Sequence, residues 1–139
     1  DDTNWTRHNT SNSGLPGNRV NSIIIDGSGN KWIGTGETFT ISYDGIAKFD
    51  DTNWTVYNTF NSGLPNDFVW SIAIDGLGNK WIGTLSDGLA KFDDTNWTVY
   101  NSSNSGLPDN IILSLAIDDF GNNFYMLFLD FFPKKSLER

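Results

Sequence analysis

Residues 69–109 set the pattern of the chain. Val69–Asp75 is apolar along most of its length, as in a strand buried on both faces. Gly76-Leu77-Gly78-Asn79 then supplies the glycines a hairpin reversal needs. Lys80–Thr84 predicts a second strand. Gly88–Phe92 predicts a third, with Leu89, Lys91 and their neighbours alternating. Asp93-Asp94-Thr95 reads as a turn, and Asn96–Asn101 as a fourth strand. There Trp97, Val99 and Asn101 fall on one side, Thr98 and Tyr100 on the other. The linker Ser102–Asp109 holds Gly106 and Pro108 and is expected to be irregular and exposed.

The same pattern occurs three times. Asn-Trp-Thr stands at residues 4–6, 53–55 and 96–98, and each is followed by Asn-Ser-Gly-Leu-Pro, ending at Pro16, Pro65 and Pro108. An apolar run then ends at Asp26, Asp75 and Asp118, and Gly-Asn-Lys-Trp-Ile-Gly-Thr recurs at 29–35 and 78–84. Successive landmarks are 49 and then 43 residues apart. The first copy therefore carries six extra residues, in Gly36–Tyr43, where the second has only Leu85-Ser86 before Asp87. A unit of 43 residues with four antiparallel strands predicts an all-β fold of β-propeller blades. A β-solenoid is the main alternative, but its repeats are usually shorter and its turns simpler. The expected division of the single domain 1–139 is a fourth strand at 4–9, a blade at 20–58 with an inserted loop at 36–43, a blade at 69–101, and an incomplete blade at 111–132.

Composition narrows the function. Aromatic residues make up 14%, with six Trp and ten Phe, and fourteen Gly punctuate them. The formal charge of −8 argues against nucleic acid, which needs a positive field, and against anionic membrane surfaces. A neutral polar or cationic ligand is compatible with that charge. The absence of Cys excludes disulfides and thiolate metal sites. The chain opens on the polar run Asp1-Asp2-Thr3-Asn4, with no signal peptide expected, and its longest apolar stretch, Phe124–Phe132, is interrupted by Asp130. No membrane insertion is expected.

The repeat resembles the two-component regulator propeller repeat. The matching strings are Val69–Asp75, Gly78–Thr84, Gly88–Asp93 and Asn96–Asn101, and the resemblance covers about residues 1–125. It implies blades of an extracytoplasmic sensory region, periplasmic or secreted, often of glycan-sensing hybrid histidine kinases. Related arrays occur in surface proteins without a kinase. The chain departs from that pattern in having about three blades, where closed rings have four to eight. It carries no kinase or response-regulator segment. After Tyr125 the run Met126–Phe132 and the basic tail Lys134–Arg139 match no blade element. Two readings of these ends are open. One is a fragment of a longer array. The other is a partial propeller, completed when two copies close a six-bladed ring.

The chemistry-bearing residues mostly recur with the blade, which assigns them to the scaffold. His8, the single histidine, stands where the other copies have Tyr57 and Tyr100, and one His without Cys assembles neither a zinc site nor a Cys–His nucleophile. Asp26, Asp75 and Asp118 are expected to accept hydrogen bonds from the following turn. Asp26–Asn30 is only a partial calcium loop, lacking the glutamate at the twelfth position. Asp50-Asp51 and Asp93-Asp94 read as solvated turns, since sequence neighbours cannot flank a scissile glycosidic bond. Asn4, Asn53 and Asn96 match the glycosylation sequon but recur as turn residues. Trp32, Trp81, Trp5, Trp54 and Trp97 are expected to pack between blades. No catalytic residue, metal or cofactor is expected, and the chain reads as a non-catalytic module.

Candidate recognition residues come from what does not repeat. Loops joining the fourth strand to the first and the second to the third share one face of a propeller. The inserted loop is expected to raise Glu37, Phe39, Ile41 and Tyr43 over that face, with Arg19, Asp67 and Asp109 on the same side. Trp70, where the other copies have Asn21 and Leu113, lies near the same end of the innermost strand. Aromatic rings beside carboxylates suit a glycan or a peptide.

Overall fold

The computed structural model describes residues 3–37 and 44–118 and the backbone of Phe124–Phe128. Among the described residues there are ten strands and no helix. Strands β1 (Val20–Ile25), β2 (Lys31–Thr35), β3 (Gly45–Phe49) and β4 (Trp54–Tyr57) form one antiparallel sheet in that order. Strands β5 (Val69–Ile74), β6 (Lys80–Thr84), β7 (Leu89–Phe92) and β8 (Trp97–Tyr100) repeat it in the same register. Ile23 opposite Ile33 becomes Ile72 opposite Ile82, and Phe49 opposite Trp54 becomes Phe92 opposite Trp97. Strands β9 (Ile112–Ile117) and β10 (Phe124–Phe128) pair as the start of a third blade.

The repeated turn residues explain the repeated sheet. Asp26 Oδ1 accepts from the backbone N–H groups of Ser28 (2.9 Å) and Asn30 (3.0 Å), and Oδ2 accepts from Asn30 Nδ2 and Trp32 Nε1 (both 2.9 Å). Asp75 does the same for Leu77, Asn79 and Trp81. One carboxylate thus closes the β1–β2 reversal and orients the indole behind it. Gly29 and Gly78, at φ +84° and +86°, supply the left-handed residue that this turn needs.

Blades stack through their first strands, with β5 packed between β1 and β9. Trp32 and Ile46 of the first blade meet Val69, Ile72, Ile82 and Phe92 of the second in one core. Gly34 lets β5 approach: a Cβ there would lie 2.6 Å from Val69 Cγ1. Asn21 Nδ2 donates to Val69 O (2.9 Å), and Ser22 Oγ accepts from Ile72 N–H (3.1 Å). Buried aliphatic side chains at this seam each contribute roughly 2 kcal/mol.

Two expectations are adjusted. Residues 4–9, expected as a fourth strand, form no strand. The tryptophans also divide. Trp32 is fully buried between blades, and Trp97 meets Tyr57 of the first blade while stacking on Phe92 of its own sheet; Trp54 stacks on Phe49 of its own sheet, and Trp5 is 95% exposed. Of the run Met126–Phe132, which matches no blade element in sequence, the backbone through Phe128 pairs with β9. The remainder lies outside the described residues.

Candidate functional site

By topology the β4–β5 linker and the β2–β3 loop meet at one end of the blades. The linker is held by its own short polar side chains. Asn58 Oδ1 accepts from Phe60 N–H (3.0 Å), Ser62 Oγ donates to Asn58 O (2.7 Å), and Asn61 Nδ2 donates to Val56 O (2.9 Å). The same bracket is built at Asn9 and Asn101. The linkers, expected to be irregular, are therefore ordered by a repeated asparagine turn.

Between the linker and the β2–β3 loop lies a hollow of about 320 Å³, lined by Gly36, Glu37, Asp44, Asn66, Asp67 and Phe68 among others. Glu37 is exposed at its rim. Asp44 is buried, and its carboxylate lies against Gly17, where a Cβ would come within 2.6 Å of Oδ1. In the second blade Asn66 stands at the place of Gly17, and its Nδ2 donates to Asp87 Oδ2 (2.7 Å). Gly36, at φ +153°, passes over Phe68, so a side chain there would strike the Phe68 backbone.

Beside the hollow, Phe68 leans on Trp70, ring centres 5.1 Å apart, and the Arg19 guanidinium lies 5.7 Å over the Trp70 ring. Glu37, Asp67, Phe68, Trp70 and Arg19 thus follow one another around one end of the first blade pair. Trp70 Nε1 is buried and has no hydrogen-bond partner among the described residues.

Two expected site residues have internal work. Asp67 accepts from Thr59 N–H (2.7 Å) and Thr59 Oγ1 (3.0 Å), and Asp109 accepts from Ile111 N–H (2.9 Å). They are also out of step: Asp109 occupies the place of Asn66, and Asn110 that of Asp67. Asp109 belongs to the next linker and does not line this hollow. Phe39, Ile41 and Tyr43 lie outside the described residues. Sequence reasoning missed Asp44 and Phe68. Gly17, replacing Asn66 and Asp109 in the other copies, was the available signal for Asp44.

At the opposite end a polar seam of about 400 Å³ separates the first two blades, lined by Asp26, Ser28, Lys48, Tyr57, Lys80 and Asp94. Its charges are largely paired, Lys80 with Asp94 at 2.5 Å and Asp26 with its turn. Burial, with the nearby Asp94 charge, pushes the Tyr57 phenol up. No group of three or more His, Cys, Asp or Glu among the described residues is placed to hold a metal ion. No described helix is long and apolar enough to cross a membrane.

These sheets are β-propeller blades. Residues 14–37, from the linker through β2, match the family described as two component regulator propeller. The chain is also similar to PorZ, a bacterial surface component of the type-IX secretion system of Porphyromonas gingivalis, at 22% identity and a TM-score of 0.56, over 77% of this chain and 16% of that one. A second similar structure is the extracellular domain of BT3049 from B. thetaiotaomicron, assigned to a hybrid two component system. It gives 22% identity and a TM-score of 0.53, over 88% of this chain and 22% of that one. The chain thus spans less than a quarter of either. No curated protein sequence matches it.

Proposed function

We propose that the chain is a block of blades from an extracytoplasmic propeller and that its loop face recognises a neutral glycan or a peptide without transforming it. The observation that carries this is the hollow lined by Glu37, Asp44, Asp67 and Phe68, with Trp70 packed on Phe68 and Arg19 over Trp70 beside it. Carboxylates there can accept from hydroxyl or amide donors, and Phe68 gives the lining an apolar side. The net charge of −8 selects against anionic ligands. The extracytoplasmic placement draws on the surface and extracellular origins of the two similar structures.

The test is a panel of neutral oligosaccharides and peptides, read by calorimetry against wild type, Arg19→Ala and Glu37→Ala. Both residues are exposed, so the fold is retained in the variants. The expected result is binding of at least one class, weakened roughly tenfold by either change. Absence of binding across the panel, or binding indifferent to both variants, would reject the reading.

A further inference from the structure

We infer that Phe60 is the stacking platform beside the hollow and that it selects a neutral sugar, whose apolar face lies on the phenyl ring while its hydroxyls reach the neighbouring carboxylates. This rests on the recognition role proposed above for the hollow and names the class of ligand within it.

The three linkers provide the comparison. Each opens on an asparagine turn, at Asn9, Asn58 and Asn101. In the first and third, the second residue after that asparagine is a serine. Ser11 Oγ donates to Asn9 Oδ1 and Ser103 Oγ donates to Asn101 Oδ1, both at 2.6 Å. The second linker has Phe60 at that place. Among the described residues, Asn58 Oδ1 accepts only from the backbone N–H groups of Phe60 (3.0 Å) and Asn61 (3.2 Å). The turn has given up a hydrogen bond, and the ring in its place is 75% exposed. A single exposed apolar residue is ordinary on a protein surface. Here the two counterparts show that serine serves the turn better, so the phenyl ring answers to something other than the fold.

A second departure adjoins the first. Asp67 stands where the other copies have Asn18 and Asn110. Those asparagines accept the N–H of Thr10 (2.9 Å) and Ser102 (2.7 Å) through Oδ1. Asp67 accepts the Thr59 N–H in the same way (2.7 Å), and its second oxygen also accepts from Thr59 Oγ1 (3.0 Å). A carboxylate accepts at both oxygens, so the acid holds the hydroxyl as well as the backbone. Asp67 thereby fixes the residue directly before Phe60, and both Thr59 and Asp67 line the hollow. Two changes confined to one linker meet at one cavity: an exposed ring, and the acid that steadies the segment carrying it.

The lining selects the ligand. Glu37, Asp44 and Asp67 contribute carboxylates, and no Lys or Arg is among the described lining residues. Anionic ligands are thereby disfavoured. The volume of about 320 Å³ stands at the small end of ligand sites, which run from roughly 300 to 1,000 Å³. A sugar ring has an apolar C–H face and hydroxyl donors around its edge, which matches an aromatic ring beside carboxylate acceptors. A peptide backbone has a single N–H donor per residue and no such face. A cationic group is the competing occupant of an acidic hollow. Salt separates the two, because screening weakens the binding of a charged ligand and spares a neutral one.

The test is calorimetric titration of the whole chain with neutral mono- to tetrasaccharides and with a library of short peptides, using wild type, Phe60→Ser and Phe60→Trp. Serine is the residue of the equivalent turns, so Phe60→Ser is expected to fold and to show a Tm no lower than wild type. The expected result is a sugar whose affinity falls at least roughly tenfold in Phe60→Ser, stays within about threefold in Phe60→Trp, and does not change with salt. Sugar binding that Phe60→Ser leaves unchanged overturns the inference but keeps the recognition role of the hollow. Binding of peptides without sugars, or binding abolished by salt, does the same. Absence of binding by every sugar and peptide overturns both.

Discussion

Asp26 combines two tasks in one side chain, closing a turn and fixing the Trp32 indole at the blade seam. Burial pushes its carboxyl up, but donors from Trp32, Asn30 and Ser28 outweigh that and hold it at about 2. Asp75 is lowered by the same balance, burial opposed by Trp81, Asn79 and Leu77. Asp50 and Asp93 are lowered chiefly by backbone donors, Asn53 and Thr52 for one, Asn96 and Thr95 for the other. A carboxyl whose pKa falls on folding contributes stability above its unfolded value and loses it as the pH drops through the folded one. Urea midpoints are therefore expected to hold above about pH 4 and to fall steadily toward about pH 2. Asp26→Ala leaves the Trp32 N–H buried without an acceptor and should cost about 1–3 kcal/mol in urea unfolding at neutral pH. Gly27→Ala, one residue on, meets nothing within 4 Å and should change stability by less than about 0.5 kcal/mol. The role of Asp26 was legible in the sequence because it recurs at a fixed place before a Gly-Asn turn. Asp44 was signalled only indirectly, by Gly17 at the place of Asn66, and Phe68 not at all, because its position in the hollow depends on Gly36 letting the β2–β3 loop close over it.

At the scale of strands, the alternation and the turn residues carried nearly all the information needed to place β1 to β8. Each strand has its own apolar set, and each reversal its own Gly, Asp or Asn. The state of residues 4–9 was not legible, since the same Asn-Trp-Thr string that leads into a strand at β4 and β8 forms none there. A neighbouring blade separates two identical ion pairs. Lys31 meets Asp51 and Lys80 meets Asp94, both at 2.5 Å, and both aspartates hold the left-handed turn position, at φ +74° and +72°. The Lys31 side chain is 27% exposed, whereas that of Lys80 is 4% exposed and lies 4.8 Å over the Trp32 ring of the first blade. Losing the partner of a solvated lysine costs little, whereas losing that of a buried one strands an ammonium at the seam. Asn tolerates the left-handed turn, so Asp→Asn isolates the charge. Asp94→Asn is expected to cost about 2 kcal/mol and Asp51→Asn about 0.5 kcal/mol or less, read from thermal or urea unfolding.

For the whole molecule, stability should be set by place in the stack more than by local sequence. In a repeat array each unit contributes its own folding term and one interface term for each neighbour. The second blade has neighbours on both sides, through β1 and β9, whereas the first has one in a lone chain. Ile23 and Ile72 stand opposite Ile33 and Ile82 in the same register, yet their exposures are 61% and 6%. Ile72→Ala opens a cavity at a seam and should destabilise by about 2–4 kcal/mol. Ile23→Ala, at an exposed position, should cost less than about 0.5 kcal/mol. Hydrogen exchange is expected to follow suit, with the slowest amides in β5 and β6 and faster exchange in β1.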